Sequence, residues 1–265
     1  MERQLDYQFI SVAKDANVTH ITLNRPRVMN AINQQMHDEL QHAFDDFEAD
    51  NNQYLGVIRG AGDRAFSAGS DLKAIAESGE PNAYPASGYA GLIERFELAK
   101  PLIAVVDGVA VGGGFEIALA CDLIIATTRS RFGLPEPKVG AVALGGGLHR
   151  LARQIGLKQA MGLILSGDII DAVKAEKMGI ITELVTPDEL DITVKSWCER
   201  IASNAPLAIS TSKQTVMKGL DEPTLEAAIR GQAQYPAFSH WVDSEDRIEG
   251  AAAFAEKRAP NWQGK

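Results

Sequence analysis

The chain has 265 residues, 45% hydrophobic and 23% charged, the composition of an ordinary soluble protein with ample material for a buried core. Its net charge of -9 and pI near 5.1 exclude nucleic acid or an anionic membrane as the expected main partner. Cys121 and Cys198 are too few for a disulfide framework, no apolar run reaches the ~18 residues of a membrane span, and the N-terminus has no signal or transit pattern, so a cytoplasmic setting is expected.

Residues 8–12 and 18–23 alternate and are rich in β-branched side chains, which predicts an antiparallel pair turned at Asp15-Ala-Asn17. Asn24 to Asn30 is a proline-containing turn. Ile32, Met36, Leu40, Ala43, Phe44 and Phe47 fall at helical spacing with a charged opposite face. A strand is expected over 54–59. Phe66 to Lys73 reads as a loop feeding a short helix, with Asp71 near its first turn. Residues 78–88 are rich in Pro, Gly and Ser and are expected to be mobile. A helix is expected over 89–99, ended by Lys100-Pro101.

The apolar run Leu102 to Val106 leads through Gly112, Gly113 and Gly114 into helix-forming residues. A strand at 123–127, a turn at Arg129-Ser130, the Phe132-Gly-Leu-Pro-Glu136 segment and an amphipathic stretch from Leu148 to Ile155 follow. Strand and helix signals alternate to residue 185, which indicates an α/β body over residues 1–190. Beyond Pro187 the β signal fades. Helices are expected at 188–204, 206–218, 222–234 and 244–256, making 191–265 a helical region suited to subunit contact or to closing a site.

Strand, glycines, helix is an order that leaves backbone N–H groups bare at a helix N-terminus. Neither glycine cluster fits a phosphate-binding fingerprint, because Ile117 and Arg150 stand where a third glycine belongs. Gly112 to Gly114 therefore serve either tight packing or an oxyanion hole. Ser67-Ala-Gly-Ser-Asp71 offers a second close approach of backbone. Glu116 either complements the helix dipole or does chemistry, and Glu136 either caps a loop or does chemistry. The five histidines are read as structural or solvated, and Cys121 as core.

The order and spacing of several motifs resemble the crotonase, or enoyl-CoA hydratase/isomerase, superfamily. These are Ile21-Thr-Leu-Asn-Arg-Pro26, Met29-Asn-Ala-Ile-Asn33, Phe66 to Lys73, Gly112-Gly-Gly-Phe-Glu116, Ala120-Cys-Asp122, Phe132 to Glu136, Glu249-Gly250 and Phe254 to Arg258. Ala68 to Ala74 and Ser244 to Gly250 look most like its carnitinyl-CoA dehydratase branch. The resemblance implies an α/β fold, a crotonase-like spiral of ββα turns with a C-terminal helical trimerisation region, assembled as a homotrimer or a dimer of trimers.

It further implies an acyl-CoA substrate from fatty acid or carnitine metabolism, with coenzyme A as part of the substrate and no permanently bound cofactor. The family's oxyanion-hole amides fall on Ser70 and Gly113. Ligand-binding positions fall on Arg27, Val28, Ala68, Ser70, Asp71, Leu72, Lys73 and Gly113, with Phe254 and Lys257 near the CoA nucleotide. Glu116 would activate water and Glu136 would exchange the Cα proton. Both glutamates are present, which favours reversible hydration over the isomerase and hydrolase activities of the same scaffold, or over a non-catalytic binding role. After Glu136, Ala143 replaces a proline common in the family and Leu144 is apolar, and the two are expected to alter the wall of the acyl pocket.

Overall fold

The computed structural model describes residues 7–79 and 83–265. From the third strand to the eighth, successive strands are dealt alternately to two sheets. β1 (Ile10–Asp15) and β2 (Val18–Leu23) form the expected hairpin, longer at its turn end, where Ala16 takes a φ of 48°. Asn33 caps α1 (Gln34–Ala49) by accepting the Met36 N–H. The cap delays the helix past Ile32, which instead bridges to Ser70 as a short parallel contact.

Three turns of similar build follow. β3 (Leu55–Gly60) and β4 (Ala65–Ser67) lead into α2 (Leu72–Ser78). β5 (Leu102–Val106) and β6 (Val109–Val111) lead into α3 (Gly113–Ala120). β7 (Leu123–Thr127) and β8 (Arg131–Gly133) lead through a 3-10 turn at Glu136–Val139 into α4 (Gly147–Gln154) and α5 (Leu157–Ser166). β9 (Ile169–Asp171), α6 (Ala172–Lys177) and β10 (Glu183–Val185) complete the α/β part.

The larger sheet has the order β1-β2-β3-β5-β7-β10 and the smaller one β4-β6-β8-β9. Within the smaller sheet β4, β6 and β8 run parallel, so their C-terminal ends share one side. Each of the three turns thus delivers its next residues to the same place. Between the sheets and α1 lie the fully buried rings of Phe44, Phe47, Phe66, Phe115 and Phe132. β5 is buried on both faces, which accounts for its unbroken apolar sequence.

The other face of the large sheet is covered by α7 (Leu190–Ala202), through Leu190, Val194 and Cys198 against Val57, Ile103 and Ile125. The division at residues 190 and 191 therefore falls at the start of a helix that packs on the sheet. α8 (Pro206–Gly219), α9 (Leu225–Gly231), α10 (Pro236–Val242) and α11 (Glu245–Glu256) form the helical layer beyond it. α10, with Pro236 at its first position, is an addition to the four helices the sequence suggested.

The expected helix over 89–99 does not form. Ala90 and Gly91 adopt left-handed φ of 56° and 59°, which halts a helix after one 3-10 turn. Arg95 holds the irregular segment to α1 by donating to the Gly91 and Gln41 carbonyls. Of the segment expected to be mobile, residues 80–82 lie outside the described residues. The rest is pinned to α1: Ala83 bonds the Gln34 amide twice, at 2.8 and 2.9 Å, and the Ser87 N–H donates to Gln41.

One buried residue ties the turn at 25–30 to the smaller sheet. Asn30 is fully buried with a φ of 53°, a conformation that asparagine tolerates better than most. Its Oδ1 accepts the Arg25 N–H at 2.9 Å, and its Nδ2 donates to the Ala61 and Ala65 carbonyls at 3.0 and 2.8 Å. Asn30→Ala leaves three backbone groups without a partner and a strained φ, so it is expected to destabilise the fold by about 3 kcal/mol or more. Urea unfolding of the purified variant checks this; a loss under about 1 kcal/mol would contradict the role given to Asn30.

Candidate active site

The site is built first from backbone. Gly69, with a φ of 83°, brings the chain after β4 against the start of α3. A Cβ there would lie 2.8 Å from the Gly113 nitrogen and 3.0 Å from the Val111 oxygen. The Ile32 N–H donates to the Gly69 carbonyl, and the Asp71 N–H donates to the Ile32 carbonyl. These bonds flank Ser70, whose own N–H donates to no protein group among the described residues. Gly113 heads α3, where the amides of the first turn have no acceptor within the helix. The predicted pair, Ser70 and Gly113, is therefore brought together with both N–H groups unspent.

The two carboxyls meet this backbone from different elements. Glu116 is 3% exposed, and its Oε1 accepts the Gly147 N–H at 2.9 Å. Burial pushes its pKa up to about 7, with the charge of Glu136 adding to the rise and the Gly147 bond and the Arg150 charge opposing it. Glu136 begins the 3-10 turn after β8. Its Oε1 lies 3.2 Å from where a Cβ on Gly112 would be, and its Oε2 is buried without a partner. Burial raises its pKa as well. Two carboxyls of raised proton affinity, beside two free amides, can pass a proton and hold a developing oxyanion.

A family model described as enoyl-CoA hydratase/isomerase matches residues 13–265. A carnitinyl-CoA dehydratase from Proteus mirabilis is 37% identical over 264 residues, 97% of this chain and 99% of that protein. One from Escherichia coli is 38% identical over 261 residues, 97% of this chain and 98% of that protein. The crystal structure of an enoyl-CoA hydratase from Mycobacterium tuberculosis matches with a TM-score of 0.90 at 36% identity, covering 97% of this chain and 99% of that one. The chain belongs to the enoyl-CoA hydratase/isomerase family. Its α/β spiral is the crotonase fold expected from the motifs.

Within this family framework the remaining predicted positions divide. Ala68 is held by its N–H to the Met29 carbonyl. Arg27 and Val28 lie exposed on the short turn Pro26–Val28. Leu72 and Lys73 are exposed at the start of α2. The Asp71 side chain is already engaged: it caps α2 through the Ala74 N–H and pairs with Arg25 at 2.9 Å. Phe254 and Lys257 belong to the exposed end of α11, and no hydrogen bond or ion pair joins them to the site. Ala143 packs into the core while Leu144 is 79% exposed, so neighbours of those two, Gly145 and Gly147, are what contact Glu116.

Sequence reasoning passed over a cluster of rings beside the amides. The His37, Tyr84 and Tyr89 rings pack edge to face, with centroids 4.7 to 5.5 Å apart. His37 is the structural histidine expected, fully buried with its pKa lowered to about 4 by burial. Its position one residue after Met36 puts it on the buried stripe of α1, a signal that the periodicity carried. Tyr89 had no such signal, because its segment is irregular. Among the described residues no group of three or more metal-ligating side chains gathers.

The burial of Glu116 has a measurable consequence. A carboxyl whose pKa rises from 4.5 to about 7 on folding gives its full stability below pH 4.5 and loses it as pH climbs through about 7. Gln at this position does not titrate, and its amide oxygen can still accept the Gly147 N–H. The stability of Glu116→Gln relative to wild type is expected to rise by roughly 3 kcal/mol between pH 4 and pH 8. Urea titrations across that range test it, and a pH-independent difference would refute the raised pKa.

Proposed function

We propose that this chain is a hydro-lyase of the enoyl-CoA hydratase type, adding water reversibly across the 2,3 double bond of an acyl-CoA thioester. The observation that carries the reading is the convergence of the unpartnered Ser70 and Gly113 amides with the buried Glu116 carboxyl and the half-buried Glu136 carboxyl, whose Oε2 is itself buried without a partner. Attack at Cβ, or removal of a proton at Cα, places negative charge on the thioester oxygen. Two amides fixed by their own backbones hold that charge without reorganising, and one such donor is typically worth ~3–4 kcal/mol.

Glu116 and Glu136 divide the proton work. In the hydration direction Glu116 takes the proton of the attacking water and Glu136 gives its proton to Cα. Dehydration runs the same steps backwards: Glu136 takes the Cα proton and Glu116 protonates the leaving hydroxyl. The pair thus carries a single proton throughout, on Glu136 before hydration and on Glu116 before dehydration. Removal of that proton abolishes both directions alike, as the equilibrium between them requires. The deeper burial of Glu116 supports its holding the proton in the resting site.

The curated relatives named carnitinyl-CoA dehydratase support including that acyl group among the candidates, and the CoA thioester is common to all of them. The reading also takes the chain as a homotrimer or a dimer of trimers in the cytoplasm. The exposed apolar residues Met217, Leu220, Leu225, Ile229 and Phe254 of the helical layer support subunit contact. Phe254 and Lys257 would then reach the CoA nucleotide of a neighbouring copy.

Crotonyl-CoA, longer and branched enoyl-CoAs and crotonobetainyl-CoA are expected to lose the absorbance of the conjugated thioester on mixing with the protein. Glu136→Gln should lower that rate by roughly 10²- to 10⁴-fold. No turnover of any of them, with CoA binding intact, would sink the hydratase reading. For the substrate that turns over, kcat/KM should fall tenfold per pH unit above about pH 7, where the pair loses its shared proton. An unchanged rate to pH 9 would contradict the proton inventory.

A further inference from the structure

Tyr89 stands out among the residues around the site because its hydroxyl is both buried and only half used. The side chain is 3% exposed. The Ser70 hydroxyl donates to the Tyr89 oxygen at 3.3 Å, and the Tyr89 proton has no acceptor among the described residues. A methyl group on Gly113 would overlap this hydroxyl, so the phenol oxygen lies directly against the Gly113 backbone. The same oxygen therefore touches both residues whose amides are free. Phenylalanine would fill the space between His37 and Tyr84 equally well, and a buried hydroxyl costs stability unless it is satisfied. Its proton needs an acceptor that arrives with the ligand.

We propose that the Tyr89 hydroxyl is a third donor to the thioester oxygen, acting with the Ser70 and Gly113 amides; this rests on the hydratase reading of the site. The phenol does not transfer its proton. Burial, with the charges of Glu116 and Glu136, holds it in the protonated form far above neutrality. Its contribution is a hydrogen bond that shortens as the carbonyl becomes an enolate. The geometry that aims it is also fixed. The Ala90 N–H donates to Nδ1 of His37 at 2.9 Å, which ties the residue after Tyr89 to α1, and the His37 and Tyr84 rings hold the phenol edge-on from two sides. Two amides alone are the minimum for this chemistry, and here a side chain completes a three-sided cradle.

The test uses Tyr89→Phe, with Tyr54→Phe as the control that removes a tyrosine hydroxyl away from the site, beside Gly264. Two readouts are taken on the full-length protein. The first is kcat on the best enoyl-CoA found in the panel, and the second is the infrared stretch of a bound acyl-CoA labelled with ¹³C at the thioester carbonyl. Tyr89→Phe is expected to lose roughly 10- to 100-fold in kcat. It should also move the carbonyl stretch back toward its frequency in water, with acyl-CoA affinity within threefold of wild type. Tyr54→Phe should leave both readouts near wild type.

An unshifted stretch and unchanged kcat in Tyr89→Phe would overturn the proposal. So would equal losses in both variants, which would assign the effect to a general loss of structure on removing a tyrosine hydroxyl. The infrared readout needs binding and no turnover. A wild type that binds and polarises the carbonyl yet hydrates nothing would therefore count against the hydratase reading alone.

Discussion

Everything at the site depends on three stretches of backbone coming into contact with no side chain between them. A Cβ on Gly69 would crowd the Gly113 nitrogen, and one on Gly114 would run into the Ser67 carbonyl. The three-residue strands β4 and β6 set that approach. Their parallel pairing brings Ser67 beside Ala110, so the residues after each strand leave the sheet side by side. β8 lies on the other side of β6 and sends Glu136 to the same edge. The site is thus a property of the repeated ββα turn. Each turn spends two or three residues past its short strand on one functional group.

Placing a carboxyl at the end of such a turn is costly in itself. Glu116 lies in the first turn of α3, where a negative charge is favoured by the helix dipole, yet it is almost wholly buried. The loop from Gly140 to Gly147 offsets part of that cost. Its glycines bring the Gly147 amide onto the carboxylate, and Arg150 on α4 adds a nearby positive charge. These contacts are too weak to return the group to an ordinary acidity, and that residual imbalance leaves Glu116 able to hold a proton near neutral pH. The family's usual proline is absent from this loop. What surrounds Glu116 is Gly145 and Gly147, and neither requires it.

Much of this was legible in the sequence where long-range periodicity or a dense motif carried it. The stripe of α1, the apolar β5 and β7, and the glycine-to-glutamate spacing around α3 pointed to their elements directly. The small sheet was not legible. Val109–Val111 and Arg131–Gly133 are too short to display a period of two, so they read as parts of loops. Ile32 matched the helical stripe but was claimed by a bridge to Ser70 once Asn33 capped the helix. The segment around Tyr89 failed for the opposite reason. Its apolar residues are spaced as in a helix, and only the left-handed backbone at Ala90 and Gly91, which no local propensity announces at alanine, turns them inward as separate anchors. Asp71 was legible as a residue at the first turn of a short helix, and the fold uses its carboxylate to cap α2; its pairing with Arg25, a long-range contact, had no local signal.

The ring cluster also constrains the charge of the site. His37 accepts the Ala90 N–H on Nδ1, so the neutral ring must carry its proton on Nε2, an atom that is buried without a partner. Protonating Nδ1 would set two N–H groups against each other in a closed space, in keeping with a pKa of about 4. The consequence reaches the glutamates. A cationic imidazole packed on Tyr89 would favour the ionised forms of Glu116 and Glu136 and pull their proton affinities back toward ordinary values. By holding His37 neutral, α1 supplies a wall that is polar enough to fix Tyr89 and uncharged enough to leave the shared proton on the glutamate pair.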